Sequence, residues 1–220
     1  WIGVAIQDID QATRDALELG ERRGVLIGDV YDGQPAAEAG IRRGDIVLSI
    51  ADVEVQSANE LRNLVATLDP GQKVSVEVLR NGNEKTLMLK VGKRDRETLR
   101  KLSSKGESEK SAPEEAEKLQ DKLGMTVANL TSRKRSEYGI PRRVKGVVVV
   151  NVAQEFVEVR RVLKEGDVIS EVKTKGRGFK EVTSVKEFDR ATRGLKSGDS
   201  VMFLIHRDGS SFFAAFKVKN

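Results

Sequence analysis

Cysteine is missing from all 220 residues, and with it go disulfides, thiolate nucleophiles and cysteine-bearing zinc sites. Imidazole is nearly missing too, since His206 is the single histidine. A Ser-His-Asp triad needs a histidine beside its nucleophile, and His206 lies in "MFLIHRDGS", a strand running into a turn. No Gly-x-Ser-x-Gly elbow, phosphate-cradling loop or dinucleotide fingerprint occurs. Glu114, Glu115 and Glu117 cluster without a histidine or a patterned aspartate set. Neither a cofactor nor a metal is therefore expected, and no catalytic residue is assigned. Long apolar runs are lacking as well: "VVVV" (147–150) and "MFLI" (202–205) fall far short of the ~20 residues of a spanning helix. Aromatics make up 5%, and Phe212 and Phe213 read as sheet and core residues rather than base-stacking platforms.

What is abundant is charge of both signs: 39 Lys and Arg against 34 Asp and Glu, a net +5. That is a hydrated surface with a mild basic excess, not a basic arm. "SRKRSEYGIPRRVK" (132–145) is the sharpest basic stretch, and it reads as a solvated loop.

Self-comparison is more informative. "SANELRNLVATLDPGQKVSVEVLRNGNEKTLMLKV" (57–91) lies over "SVKEFDRATRGLKSGDSVMFLIHRDGSSFFAAFKV" (184–218) without a gap, and Leu79 falls opposite His206. Upstream, "GVLIGDV" (24–30) matches "GVVVVNV" (146–152), "RRGDIVLSI" (42–50) matches "KEGDVISEV" (164–172), and "WIGVAI" (1–6) matches "KLGMTV" (122–127). Two domains follow, 1–92 and 122–220. Residues 93–121 form a hydrophilic connector with too few apolar side chains for a core and with short helices expected at 94–102 and 113–122. In each repeat the patterning predicts a first strand (2–7), a short helix (10–19), strands at 24–30 and 45–50, and a small helix opened by Pro35 and closed by Gly40. A longer helix follows, with Ser57 as N-cap and Glu60 as its box partner. The hairpin 73–80/85–91 then turns at Asn81-Gly82, as its counterpart does at Asp208-Gly209.

The run "PAAEAGIRRGDIVLSI…SANELRNLVATLDPGQKVSVEVLRNG", headed by "WIGVAI", resembles the PDZ domains of bacterial HtrA/Deg serine proteases. The likeness is strong over 1–91 and weaker over 122–218, where "FVEVRRVLKEGD" replaces "PAAEAGIRRGD". It implies an α+β, mainly β fold: two PDZ-like small β-barrels or sandwiches, each capped by two helices and joined by the charged linker. It also implies that extended peptides add as a strand beside Val4, Ala5 and Ile6, with their C-terminal carboxylate held by backbone N–H groups of Ile2, Gly3 and Val4 under Trp1. On the long helix, positions 61, 64 and 68 read as core, and Arg62, Val65 and Ala66 as groove lining. Leu123, Gly124 and Met125 would be the second loop. There, however, the lining positions become Asp189, Thr192 and Arg193, so an assembly role is as well supported as ligand binding.

The resemblance further implies a parent that is a periplasmic, trimer-based serine endoprotease. Its partners would be unfolded or cleaved protein C-termini and its own protease domain, and this chain would be an excised, non-catalytic piece used in protein quality control. Two other readings stay open: a PDZ scaffold of a non-protease envelope protein, and a nucleic-acid binder motivated by 132–145. Specific nucleic-acid binding is not expected.

Overall fold

The computed structural model describes residues 1–93 and 117–218, with the backbone alone for 117–121. The short helices expected at 94–102 and in the first part of 113–122 lie outside the described residues.

By contact the chain divides into two units, Trp1–Asp10 with Leu19–Lys105, and Gln11–Glu18 with Gly106–Asn220. Each has an antiparallel sheet and its own apolar core. The strands of the first are β1 (Val4–Gln7), β2 (Val25–Val30), β3 (Ile46–Ile50), β4 (Val53–Glu54), β5 (Lys73–Arg80) and β6 (Asn83–Lys90). They run in the order β1-β2-β3-β5-β6, with β4 beside β3. The helices are α1 (Gln11–Leu17), which groups by contact with the second unit, α2 (Pro35–Glu38) and α3 (Ala58–Thr67). Both α2 and α3 begin where the sequence punctuation places them. Pro35 opens α2, and the Ser57 hydroxyl accepts the Glu60 N–H at 3.2 Å. Glu60 reaches back to the N–H of Gln56, one residue before the cap, at 2.8 Å. Asn81 and Gly82 both carry positive φ, so a two-residue turn joins β5 and β6 in unbroken register from Lys73↔Lys90 to Arg80↔Asn83.

The second unit contains β7 (Glu117–Gln120), β8 (Met125–Asn129), β9 (Val147–Val152), β10 (Val168–Thr174), β11 (Lys180–Glu181), β12 (Ser200–Arg207) and β13 (Ser210–Lys217). Its order is β13-β12-β10-β9-β8-β7, with β11 beside β10. Its helices are α4 (Ser132–Tyr138), α5 (Val157–Val162) and α6 (Val185–Thr192). The mainly β, twice-repeated architecture expected from the sequence is what forms.

Two expectations need correction. The basic stretch 132–145 is not simply a loop, because Ser132–Tyr138 wind into α4 between a Thr131 N-cap and a Gly139 C-cap at φ +63°. Its Arg135 guanidinium donates to the carbonyls of Pro141 and Val144 at 2.8 and 2.9 Å. Burial, with Arg142 nearby, lowers its pKa from the ordinary value. Glu117–Gln120, assigned to the connector and to its second helix, form strand β7 instead. Backbone pairing with a neighbouring strand wins there over a local sequence that has no alternation.

A buried ion pair recurs in both units. The Arg80 guanidinium meets both oxygens of Asp45 at 2.7 Å and the Gly40 carbonyl at 2.7 Å. Arg207 meets Asp167 at 2.6 and 2.7 Å and the Val162 carbonyl at 2.9 Å. The Asp45 and Asp167 side chains are each 1% exposed, so desolvation is repaid only by this full set of partners. The hydrogen bonds that the two guanidinium groups donate to these carboxylates raise both arginines above their usual value. The Gly-Asp and pre-turn Arg coincidences of the repeat are the sequence trace of these pairs.

Candidate peptide-binding edge

The segment Trp1–Gly3 is held through its carbonyls. The Trp1 carbonyl accepts from Gly92 N–H at 2.8 Å, that of Ile2 from Ala36 at 2.9 Å, and that of Gly3 from Tyr31 at 3.1 Å. In a planar trans peptide the C=O of one residue and the N–H of the next point in opposite directions. Anchoring carbonyls 1, 2 and 3 therefore turns the N–H groups of Ile2, Gly3 and Val4 away from their anchors. Among the described residues the Ile2 and Gly3 amides donate no hydrogen bond. Buried amides without acceptors are rare, and successive ones form an anion-accepting concavity.

Gly3 is required twice over. Its φ is +78°, and a Cβ there would stand 2.2 Å from Cβ of Gln34. Gln34 in turn accepts the Trp1 indole N–H at 3.0 Å, so Trp1 is pinned beside the loop.

Strand β1 is the edge of its sheet, paired with β2 on one side only among the described residues. Val4 and Ile6, two apart with a bulge between Ala5 and Ile6, pack half-buried against the core, as do Leu64, Val65 and Leu68 of the α3 segment. Gln7 lies across Gly28. At the far end of β1 the Asp8 carboxylate accepts the Ala58 N–H, tying the strand to the first turn of α3.

The predicted loop residues Trp1, Ile2, Gly3 and Val4 thus come together, with Ala5 and Ile6 following on the strand. Among the helix residues, Val65 is half-buried with the apolar group. Arg62 is exposed, with its guanidinium on the Asn59 side-chain oxygen at 3.0 Å, and Ala66 is exposed. The sequence reading did not include Asp8; it gave Leu64 and Leu68 to the core, against which both pack half-buried. The match of Asp8 to Asn129 between the repeats was the available signal for the first.

In the second unit, Leu123 and Met125 are 2% and 0% exposed, and Gly124 has φ +61° with Phe156 where Gln34 stands in the first. The Gly124 carbonyl accepts from Ala153 at 2.8 Å, just as Gly3 accepts from Tyr31. Lys122 Nζ reaches the Leu195 carbonyl at 3.1 Å. Asp189 pairs with Arg193 at 2.8 Å, and the buried Thr192 hydroxyl bonds to the Phe188 carbonyl at 2.9 Å. Asp189 is therefore neutralised from its own next turn.

His206 bridges two serines: Nε2 lies 2.7 Å from Ser170 Oγ and Nδ1 2.9 Å from Ser211 Oγ. It links β10 and β13 across β12. Among the described residues no group of metal-ligating side chains occurs, and no helix is long and apolar enough to cross a membrane.

Residues 1–91 match the PDZ domain family. The chain is 29% identical over 218 residues to a probable periplasmic serine endoprotease DegP-like of Pseudomonas fulva, and 28% over 220 residues to one of Rickettsia conorii. Each alignment covers 99% of this chain but 42% of the relative, so the chain spans less than half the length of these proteins. Among solved structures, the HtrA-type protease AlgW with decapeptide is 38% identical over 43% of this chain and 29% of its own, at a TM-score of 0.41. The HtrA3 PDZ domain bound to a phage-derived ligand, FGRWV, is 22% identical over 41% of this chain and 83% of its own, at 0.36.

Proposed function

We propose that this chain is the PDZ region, without the protease domain, of an HtrA/DegP-type serine protease, and that its first unit captures the C-terminal end of extended, hydrophobic peptides. The observation that carries this is the set of anchored carbonyls at Trp1, Ile2 and Gly3, which leaves the N–H groups of Ile2, Gly3 and Val4 available to a carboxylate. The incoming strand adds to the outer edge of β1, and its apolar side chains settle against Val4, Ile6, Leu64, Val65 and Leu68. Arg62 and Ala66 line the outer rim. In the parent protein, a periplasmic serine endoprotease assembled from trimers, the bound ends are those of unfolded or cleaved envelope proteins. The module delivers them to the protease domain, or converts occupancy into activation, in protein quality control. With β7 counted in the second unit, the domain limits that belong to the same proposal are 1–92 and 117–220, with the connector 93–116 between them.

The test is a titration of the chain with a peptide ending in a free hydrophobic carboxylate and with its amidated twin, following backbone amide shifts. The acid alone binds, and the shifts gather at Ile2–Gln7 and Val65. Equal binding of the twins would remove the carboxylate from the mechanism. Silence of both at millimolar concentration would remove the site.

A further inference from the structure

The two sheets differ at one place. In the first unit, β1 ends its sheet; in the second, the equivalent strand β8 does not, because β7 lies beside it on the side away from β9. The pairing is antiparallel through Glu117↔Ala128, Lys118↔Val127, Leu119↔Thr126 and Gln120↔Met125. Helix α6, the counterpart of α3, packs against β7 as well as against β8. Strand β7 therefore lies between β8 and the helix, where the peptide of the preceding section would add. Its direction also matches. A C-terminal peptide antiparallel to β8 would run toward Gly124, and β7 runs that way, reaching the loop at Gln120, where the chain continues into the Asp121–Leu123 turn instead of ending in a carboxylate. The Gly124 carbonyl is bound to the Ala153 N–H, so the Met125 N–H points away from β9, toward the β7 side.

We propose that residues 117–120 are an internal ligand of the second unit: they occupy its strand-addition edge and exclude external peptides of the kind the first unit takes. The proposal rests on the strand-addition reading for what the edge would otherwise bind. It makes the second unit a closed site rather than a weak one. On this proposal neither Asp189 nor Thr192 is needed to keep external peptides off the edge, since Met125–Ala128 of β8 are already paired on both sides.

Three measurements on the whole chain test this. The first is amide hydrogen exchange, in which the β8 residues Met125–Ala128 should be protected on both edges and exchange more slowly than Val4–Gln7. The second uses the absence of native cysteine: the variant Leu119→Cys with Thr126→Cys places two thiols at directly paired positions, within disulfide reach. Mild oxidation should close one intramolecular disulfide in nearly every molecule. The third is the titration with the free-acid peptide, performed on the native chain and on the variant Lys118→Pro with Leu119→Pro. Neighbouring N–H groups on a strand point to opposite sides, so this double variant removes a ladder donor whichever one faces β8. The native chain should shift only at the first unit, and the double variant should gain shifts at Leu123–Asn129.

Fast exchange in β8, failure of the thiols to pair, native peptide shifts at both units, or a double variant that stays silent at Leu123–Asn129 would each overturn the proposal. The first unit of the double variant reports separately on the strand-addition reading. If it too fails to bind, that reading falls, while exchange and crosslinking still decide where β7 lies.

Discussion

Asp8 and Ala58 are fifty residues apart in sequence, yet the carboxylate of one accepts the backbone N–H of the other at 2.7 Å. The bond joins the end of β1 to the N-terminus of α3, the two elements between which the proposed ligand would add. It satisfies one of the donors a helix start leaves open. Asn129 does the same for Val185 at 2.8 Å in the second unit. Asp8→Ala should cost the first unit about 1 kcal/mol of stability and weaken peptide binding. Asp8→Asn should retain most of both, since the amide oxygen already serves at Asn129. Denaturant unfolding and the free-acid titration, run on the same preparations, check the pair.

Two glycine substitutions separate backbone strain from collision. Gly3 and Gly33 both have positive φ, +78° and +68°, but only Gly3 faces a neighbour within contact distance. Gly33→Ala should cost about 1 kcal/mol, the backbone part alone. Gly3→Ala must also displace Gln34 from the Trp1 indole, so it should cost more and lower peptide affinity by roughly tenfold or more. Equal stabilities for the two variants would show that Gln34 yields freely.

The Asp45–Arg80 pair gives a different kind of test. Asp45→Ala leaves Arg80, 16% exposed at its side chain, facing a cavity without a counter-charge, and should cost the first unit about 3–5 kcal/mol. Asp45→Leu with Arg80→Met removes both charges and should recover most of that loss. Thermal unfolding of the single and double variants measures the difference, and Asp167→Ala should act likewise on the second unit.

Acid should weaken the start of α6. The Thr183 hydroxyl, and then the Thr183 N–H, donate to Glu187 at 2.7 and 2.8 Å and hold its carboxyl below the ordinary value of 4.5, against a smaller opposing effect of burial. A carboxyl depressed in the folded state adds stability that is complete above its unfolded value and fades as pH falls through the folded one. Native protein should therefore lose stability between pH 5 and pH 3 by more than Glu187→Gln does. The side chain is exposed, so the difference is small, and denaturant midpoints at the two pH values will show its sign.

The repeat was legible because its markers answer to backbone geometry. Asn81-Gly82 and Asp208-Gly209 must turn, Ser57 and Ser184 must cap, and Asp45 and Asp167 must meet an arginine before the turn. The loop at Gly3 was legible for the same reason, as a glycine where a side chain cannot fit. The division of labour along α3 was harder to read. Leu64, Val65 and Leu68 are all half-buried, and periodicity separates core from surface, not core from groove. Strand β7 could not be read at all. Glu117-Lys118-Leu119-Gln120 offers one apolar residue and no alternation, and its pairing depends on an open edge supplied by other parts of the chain.

The four residues Asp121–Gly124 that join β7 to β8 also fix a number. A strand held by so short a turn meets its partner at an effective concentration on the order of millimolar or higher. A free peptide of micromolar intrinsic affinity would compete with it poorly at micromolar concentration, and would do so well only when crowded locally or presented by a second attachment. If β7 holds the edge as proposed, a free peptide meets the second unit with an apparent affinity lowered by that local concentration, so the same chain end would fill the two units at widely separated concentrations.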